Sequence, residues 1–359
     1  MYLKTAIVLS WFAASYVLLV FVVGTWWWAL PVAASLGLSM AAVGFNVQHD
    51  AGHQAYSDRR WVNKLMAMTL DLLGGSSYVW ARKHNSIHHS YTNITDHDDD
   101  IDLGFLGRLS PHQKRLKFHR LQHYYLWAIY GLVSIKWQLV TDFRNVIIGR
   151  LGEHRLPRPK GWDLLTFIGG KAVFFSLALV VPLLLHPLWM VAACYAAISF
   201  VQGVVLSVVF QLAHCVEEAD FPLPREDTGR MEKTWAVHQL ETTVDFARGS
   251  RLLSWFVGGL NFQVEHHLFP QICHVHYAAL SKLVEEACRE FRLKYAAHES
   301  LRAAIGSHFR WLRRMGRPVT PEGPVRGEYI ASPRAGQECP ECPQEDDQIE
   351  LQRDVLDVV

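Results

Sequence analysis

Hydrophobic and polar positions divide this chain unevenly. Ala6 to Val23 and Thr25 to Val47 contain no charged residue, Leu164 to Leu185 contains only Lys171, and Pro187 to Ala213 contains none. A bilayer-spanning helix needs about 20 apolar residues, and helices in a soluble core seldom run that far without a charge. The pattern predicts four transmembrane helices in two hairpins, at about 6–23, 25–47, 164–185 and 187–213, within an all-α membrane domain over residues 1–317. Between spans two and three, Trp61 to Trp80 reads as an amphipathic helix broken near Gly74-Gly75. The aromatic-rich stretch Leu121 to Val140, with Lys136 inside, reads as a helix lying in the interface. Tyr277 to Phe291 puts Leu280, Leu283, Val284 and Ala287 on one helical face. From Pro318 to residue 359, proline, glycine and acids predominate, which predicts a disordered tail; its Cys339-Pro340-Glu341-Cys342 has no second pair to complete a zinc site.

Lysine and arginine are absent from the hairpin tips near Gly24 to Pro31 and His186 to Pro187, and are concentrated in the middle connection and the C-terminal region. The positive-inside rule then predicts both termini and both long polar regions on the cytoplasmic face, of a bacterial inner membrane or of the endoplasmic reticulum in a eukaryote. Lys171 is expected to snorkel to that surface. The first apolar run is too long for a signal peptide and is followed at once by a second. A net charge of +1 gives no electrostatic reason to expect nucleic acid, and six cysteines show no disulfide framework.

Histidine changes the picture. His49-Asp50-Ala51-Gly52-His53 follows the second apolar run, His84-Asn85-Ser86-Ile87-His88-His89 lies in the middle connection, and Gln263-Val264-Glu265-His266-His267 follows the fourth. Residues four apart share a helical face, whereas adjacent residues are turned by about 100°, so His88-His89 and His266-His267 suit two metal ions better than one. With both hairpins closing on the far side, all three clusters fall on one face of the membrane. His214, at the end of the fourth run, is a further candidate, and Gln263 shares a face with the last pair. The candidate ligands are His49, His53, His84, His88, His89, His214, Gln263, His266 and His267. Asp50, Glu241, Asp245 and Glu265 are candidate supporting carboxylates, as is the acidic run from Asp96 to Asp102, which could accept the second ring N–H of a ligating imidazole. Isolated histidines, and His119 and His123 among basic residues, are assigned structural roles, as is His238; His274 and His276 are expected beside the site or at the surface. Imidazole suits iron, zinc, copper and nickel. A closed structural zinc site would usually include cysteine, and these clusters have none.

These three boxes, together with Phe210-Gln211-Leu212-Ala213-His214 and Gly258 through Pro270, resemble those of the membrane fatty acid desaturases. The glutamine opening the third box resembles the front-end, linoleoyl-CoA desaturase-like branch. The resemblance covers roughly Phe45 to Tyr295. It implies four transmembrane helices under a cytosolic helical cap, two non-haem iron ions, O2 as co-substrate, two electrons per turnover and a cis double bond placed in a fatty acyl chain, on acyl-CoA or acyl-lipid. Front-end regiochemistry, of the delta-5 or delta-6 kind, would place the bond between an existing one and the carboxyl end. The haem-binding His-Pro-Gly-Gly of fused cytochrome b5 domains is not in this sequence, so the resemblance implies an external donor, ferredoxin or cytochrome b5 with its reductase. Arg59, Arg60, Lys64, Arg82 and Lys83 are candidate contacts to a phosphorylated carrier or to anionic lipid. Two rival readings are a di-iron hydroxylase of alkanes, sterols or carotenoids, and a non-enzymatic metal binder or transporter. Transport requires ionisable residues in the middle of spans, and here they gather beyond the ends.

Overall fold

The computed structural model describes residues 1–318; the predicted tail, with Cys339 and Cys342, lies outside the described residues. The elements, in chain order, are α1 (Tyr2–Val22), α2 (Trp26–Gly52), α3 (Arg60–Ala67), α4 (Thr69–Leu72), α5 (77–91), α6 (122–148), α7 (Trp162–Leu183) and α8 (Leu188–His214). After these come α9 (Trp235–Thr242), α10 (Arg251–Phe256), α11 (Gln263–Leu268), α12 (Tyr277–Glu290) and α13 (Leu301–Met315). Four of them, α1, α2, α7 and α8, are long and apolar enough to cross a membrane. Strand structure among the described residues is confined to two-residue pairs, of which Asp245–Phe246 beside Ala297–His298 ties the region before the third histidine box to the chain that follows it.

The predicted second span ends at Val47, but α2 continues to Gly52 and carries His49 on its last turns. Backbone bonding over 44–48 and 81–88 is of the wider i→i+5 kind, which recurs at functional sites and here lies next to or within a histidine box. Likewise α8 ends on His214. The predicted helix over 61–80 is broken earlier than its glycines suggest, into α3 and α4, and the chain resumes helical structure at Ser77, capped by Ser76 accepting from the Val79 amide.

The predicted interfacial helix over 121–140 is longer than expected, and its polarity runs the other way round from a water-facing one. Gln122, His123, Ser134, Gln138, Asp142 and Asn145 are buried on α6, while Tyr124, Leu132, Leu139, Val140 and Ile147 are exposed. An ordinary amphipathic helix buries its apolar stripe. This one turns polar residues onto α8, while its exposed side mixes those apolar residues with Lys136 and Arg144, as suits the membrane interface. The two helices approach closely at a pair of glycines: a Cβ on Gly203 would stand 2.7 Å from the Gly131 carbonyl oxygen, and one on Gly131 would stand 2.1 Å from the Phe200 ring. At that crossing the buried amide of Gln138 donates to Gln202 and to the Leu73 carbonyl, and accepts from Tyr195 and Ser199.

Lys171 does not reach a surface. It is 5% exposed, donates to Asp142 Oδ2 at 2.8 Å and to the Gly74 carbonyl, and thereby joins α7 to α6 and to the turn after α4. Snorkelling is prevented because a fully buried carboxylate stands beside the ammonium inside the helix packing. Removing one member of a buried pair leaves an uncompensated charge, at a cost of about 3–5 kcal/mol, whereas replacing both is often neutral. Lys171→Met is therefore expected to lower the melting temperature of the detergent-purified protein sharply, and Lys171→Met with Asp142→Leu to restore most of it. Equal losses in the single and double variants would contradict this account.

Candidate metal centre

The ends of α2 and α8, all of α5 and the short α11 meet on one side of the span bundle, each delivering histidines to a common point. His49, His53, His84, His88, His89, His214, His266 and His267 are all buried there, with Gln263 among them. One ring nitrogen from each of His49, His53, His84 and His266 lies within 4.8 Å of the others; His88, His214 and His267 form a second such group; His89 joins His266 and His267 in a third. The adjacent pair on α11 is thus split, His266 toward the first group and His267 toward the second, as the 100° rotation between neighbours requires.

Local packing explains the placement. Trp80 stacks on His84 and stands edge-on to His49 and His53. It can do so because residue 52 is glycine: a Cβ there would be 2.2 Å from the indole. Asn93 staples the second group by donating to the carbonyls of His214, Asp220 and Thr242. Gly258, at φ +61°, and Gly259, at φ +69°, turn the chain before α11; a Cβ at Gly258 would also strike the Phe45 carbonyl of α2 at 2.3 Å.

Hydrogen bonds dispose one nitrogen of several rings outward. His88 Nδ1 is 3.1 Å from Asp98 Oδ2, His267 Nδ1 donates to Gln239 Oε1 at 2.8 Å, His214 Nδ1 to the Thr242 carbonyl at 3.3 Å, and His266 Nδ1 lies 3.2 Å from the Tyr277 hydroxyl. The Nε2 atoms of His88, His266 and His267 are left pointing inward, buried and without a protein partner, as is His53 Nε2. His49 Nε2 and His84 Nε2 are 3.2 Å apart, and His84 Nε2 and His89 Nε2 3.3 Å. Two nitrogens bound to one ion at bond lengths of about 2.1 Å would be about 3.0–3.4 Å apart, so the donor set fits transition-metal ligation. Burial, reinforced by the neighbouring imidazoles, pushes His53, His84, His89, His266 and His267 well below the ordinary imidazole range, so they are neutral donors at pH 7. His88 differs: burial acts downward, but Asp98, with Asp100 behind it, holds it above its usual value and makes it the most basic ring of the cluster.

The candidate supporting carboxylates behave differently from one another. Asp50 does not touch a clustered histidine; it accepts from His274 Nδ1 at 2.8 Å and from the Cys273 thiol at 3.1 Å, because it emerges from α2 on the side away from His49. Asp245 accepts from the Val264 amide, and the Tyr295 hydroxyl lies 2.8 Å from Asp245 Oδ2 and 2.9 Å from Glu265 Oε1. Burial first, and the neighbouring Asp245 next, raise Glu265 far above the carboxylate range, so the pair holds a proton and braces α11 from behind. Glu241 pairs with Lys233 instead of a ring. Arg59, Arg60 and Arg82 are exposed, and Lys83 pairs with Asp99 and Asp100. His238 Nε2 donates to the Thr92 carbonyl at 2.9 Å, outside the cluster. Sequence reasoning missed Gln239, Tyr277 and Trp80. Among the acids of the 96–102 run it could not single out Asp98, although the run itself was visible.

The sequence model of the family described as fatty acid desaturase matches residues 25–299. The chain is 38% identical over 324 residues to an sn-1 linoleoyl-lipid 6-desaturase of Arthrospira platensis, covering 90% of this chain and 87% of that protein. It is 35% identical over 320 residues to the Synechocystis protein of the same description, covering 88% and 89%. An acyl-lipid (8-3)-desaturase of Physcomitrium patens is 34% identical over 326 residues, covering 88% and 66%.

Gln239 fixes the His267 tautomer and also receives the Thr92 hydroxyl, so its loss should be felt by any metal that His267 holds. Such outer partners are worth about 10–100-fold in affinity. Gln239→Leu is expected to lower the chelator concentration that strips half the bound metal by that factor; an unchanged stripping curve would refute the assignment.

Proposed function

The chain belongs to the fatty acid desaturase family and is an oxidoreductase of that class, and from this premise we propose that it is a front-end desaturase acting on an acyl chain held in a membrane glycerolipid. The observation that carries the reading is the split of His266 and His267 between two buried groups of ring nitrogens. In this reading His49, His53, His84 and His266 would hold one iron ion, His88, His214 and His267 would hold a second, His89 would lie between them, and Gln263, whose amide lies 3.0 Å from His214 Nε2, would stand beside the second. The two irons, when bound, activate O2 for removal of hydrogen from an unactivated methylene, with electrons from an external donor of the ferredoxin or cytochrome b5 kind.

The protein's own part is positioning and exclusion. Every clustered ring is buried, so water has little access to the reacting carbons. Asp98 and Gln239 fix which nitrogen each partner imidazole presents, and Trp80 holds His84 in plane. Within the span bundle a cavity of about 280 Å³ is walled by Met40, Leu72, Phe174 and Ile198 among others. The polar residues on its wall turn their hydrogen-bonding atoms to protein partners: Tyr16 to Leu177, His186 to Val20, and Tyr195 and Ser199 to Gln138. What remains is a hydrocarbon lining, which suits an alkyl tail. The named relatives are described as desaturases of lipid-linked acyl chains, and Gln263 in the third box agrees with the front-end branch. The arrangement favours an active site facing the cytoplasm, since the positive charges lie on the histidine side of the bundle.

Expression in a host supplied with defined fatty acids tests the reading. A new cis double bond between an existing one and the carboxyl end is expected, found in the glycerolipid fraction and requiring O2, with His88→Ala reducing it to the level of the empty host. Hydroxylated chains without new unsaturation would instead establish the hydroxylase alternative, and purified protein holding zinc with no iron would favour a binding role.

A further inference from the structure

Two stretches of the chain, 103–141 and 300–318, contain no aspartate or glutamate, and they meet where α13 crosses the start of α6. A Cβ on Gly316 would stand 2.3 Å from the His119 carbonyl oxygen, Arg108 donates to the Met315 carbonyl at 2.9 Å, and the Phe309 ring stands edge-on to His123 and Tyr124. The junction carries six exposed cations. Lys114, Lys117 and Arg120 come from one stretch and Arg313, Arg314 and Arg317 from the other, and none pairs with an acid among the described residues. Asp102, just before the first stretch, accepts from the Gly104 amide, and Glu217 is engaged by Arg310. The uncompensated charge is felt inside: burial first, then Arg313 and Arg317, hold the His123 imidazole below its usual range.

We propose that this face binds the headgroups of anionic phospholipids and seats the cap on a negatively charged membrane surface. Depth supports it. The 27 residues of α8 make about 40 Å of helix, whereas the hydrocarbon of a bilayer is about 30 Å thick, so the last turns stand among the headgroups. There α13 crosses α8: Ala304 packs with Val209 and Leu212, and His308 Nδ1 donates to the Cys215 carbonyl at 2.7 Å while its Nε2 accepts from the Tyr130 hydroxyl at 2.9 Å. The cations of α13 therefore lie at the height of lipid phosphates, whose oxygens a guanidinium grips through two parallel hydrogen bonds.

Apolar side chains alternate with the cations. Phe118, Leu121 and Tyr124 are 44%, 50% and 66% exposed, and Leu132 and Leu139 carry exposed apolar surface on along α6. A docking face for a soluble acidic protein has no reason to run on into such a row. Basic residues interleaved with exposed apolar ones are what an element lying in the interface presents to anionic lipid. The seat also bears on the metal centre, because the Cys215 that α13 holds through His308 directly follows His214. α13 is thus the link between the membrane surface and the second group of rings, whatever reaction the metals perform.

The test uses the full chain in phosphatidylcholine nanodiscs holding a small fraction of a phosphatidylglycerol probe with a diazirine on an acyl carbon next to the glycerol. Photolabel is expected on peptides covering 117–124 and 309–317, and a phosphatidylcholine probe with the same diazirine should label them far less. Arg313→Gln, Arg314→Gln and Arg317→Gln together should reduce the phosphatidylglycerol label at least about tenfold, since each basic residue adds to the attraction, whereas Arg→Lys at the same three positions should keep most of it. With the unsubstituted protein, unlabelled phosphatidylglycerol should compete and the cationic lysyl-phosphatidylglycerol should not, a comparison that depends on no variant folding. Equal labelling by the two probes, label elsewhere, or label unmoved by the charge substitutions would overturn the site. Protection of the same peptides from hydrogen exchange by an acidic ferredoxin, with no preference for the phosphatidylglycerol probe, would assign the face to a protein partner and overturn the lipid.

Discussion

The structure depends on bringing eight imidazoles close together out of water. A buried ring with two nitrogens must satisfy one as a donor and has a lone pair left on the other. Here the donor nitrogens of His88, His214 and His267 are taken up by Asp98, the Thr242 carbonyl and Gln239, which lie outside the ring cluster, so the remaining lone pairs converge. Gln239 and Thr242 sit on the short α9 and Asp98 in an irregular loop, and each is in turn held by a staple such as Asn93 or Thr92. The cap can be read as the scaffold that this one requirement imposes.

The spans supply the frame against which that scaffold is registered. Two of them end on site residues, α2 at the first box and α8 at His214, so the depth of each helix in the bundle sets the height of its ligands. Glycine permits the registration at close quarters: Gly203 on Gly131 between α8 and α6, and Gly258 against Phe45 where the third box turns under α2. A methyl group at either place would have to displace backbone, and the histidines beyond would move with it.

Much of this was legible in the sequence because the relevant signals are local. Long uncharged runs mark spans, and histidines four apart or adjacent declare their relative directions on a helix. Other features were hidden because they depend on distant partners. Lys171 looked able to reach a surface, and only the packing of α6 shows Asp142 beside it. Asp50 looked like a support for the ring next to it, yet it serves His274, more than two hundred residues away, which also receives Lys4 of α1. Gln239 has no motif around it at all. Its role exists only where α9 and α11 meet, so no spacing rule could have found it.

The inverted polarity of α6 bears on how the molecule is assembled. Four side chains that meet Gln138 and Asp142, namely Lys171, Tyr195, Ser199 and Gln202, lie in α7 and α8, which leave the ribosome later. Until they arrive, Gln138 has only the Leu73 carbonyl and Asp142 only the Trp137 indole as partners, and the buried side of the helix is under-satisfied. The full set of contacts on this side of α6 thus forms only once the second hairpin is in place, later than the order of the sequence would suggest.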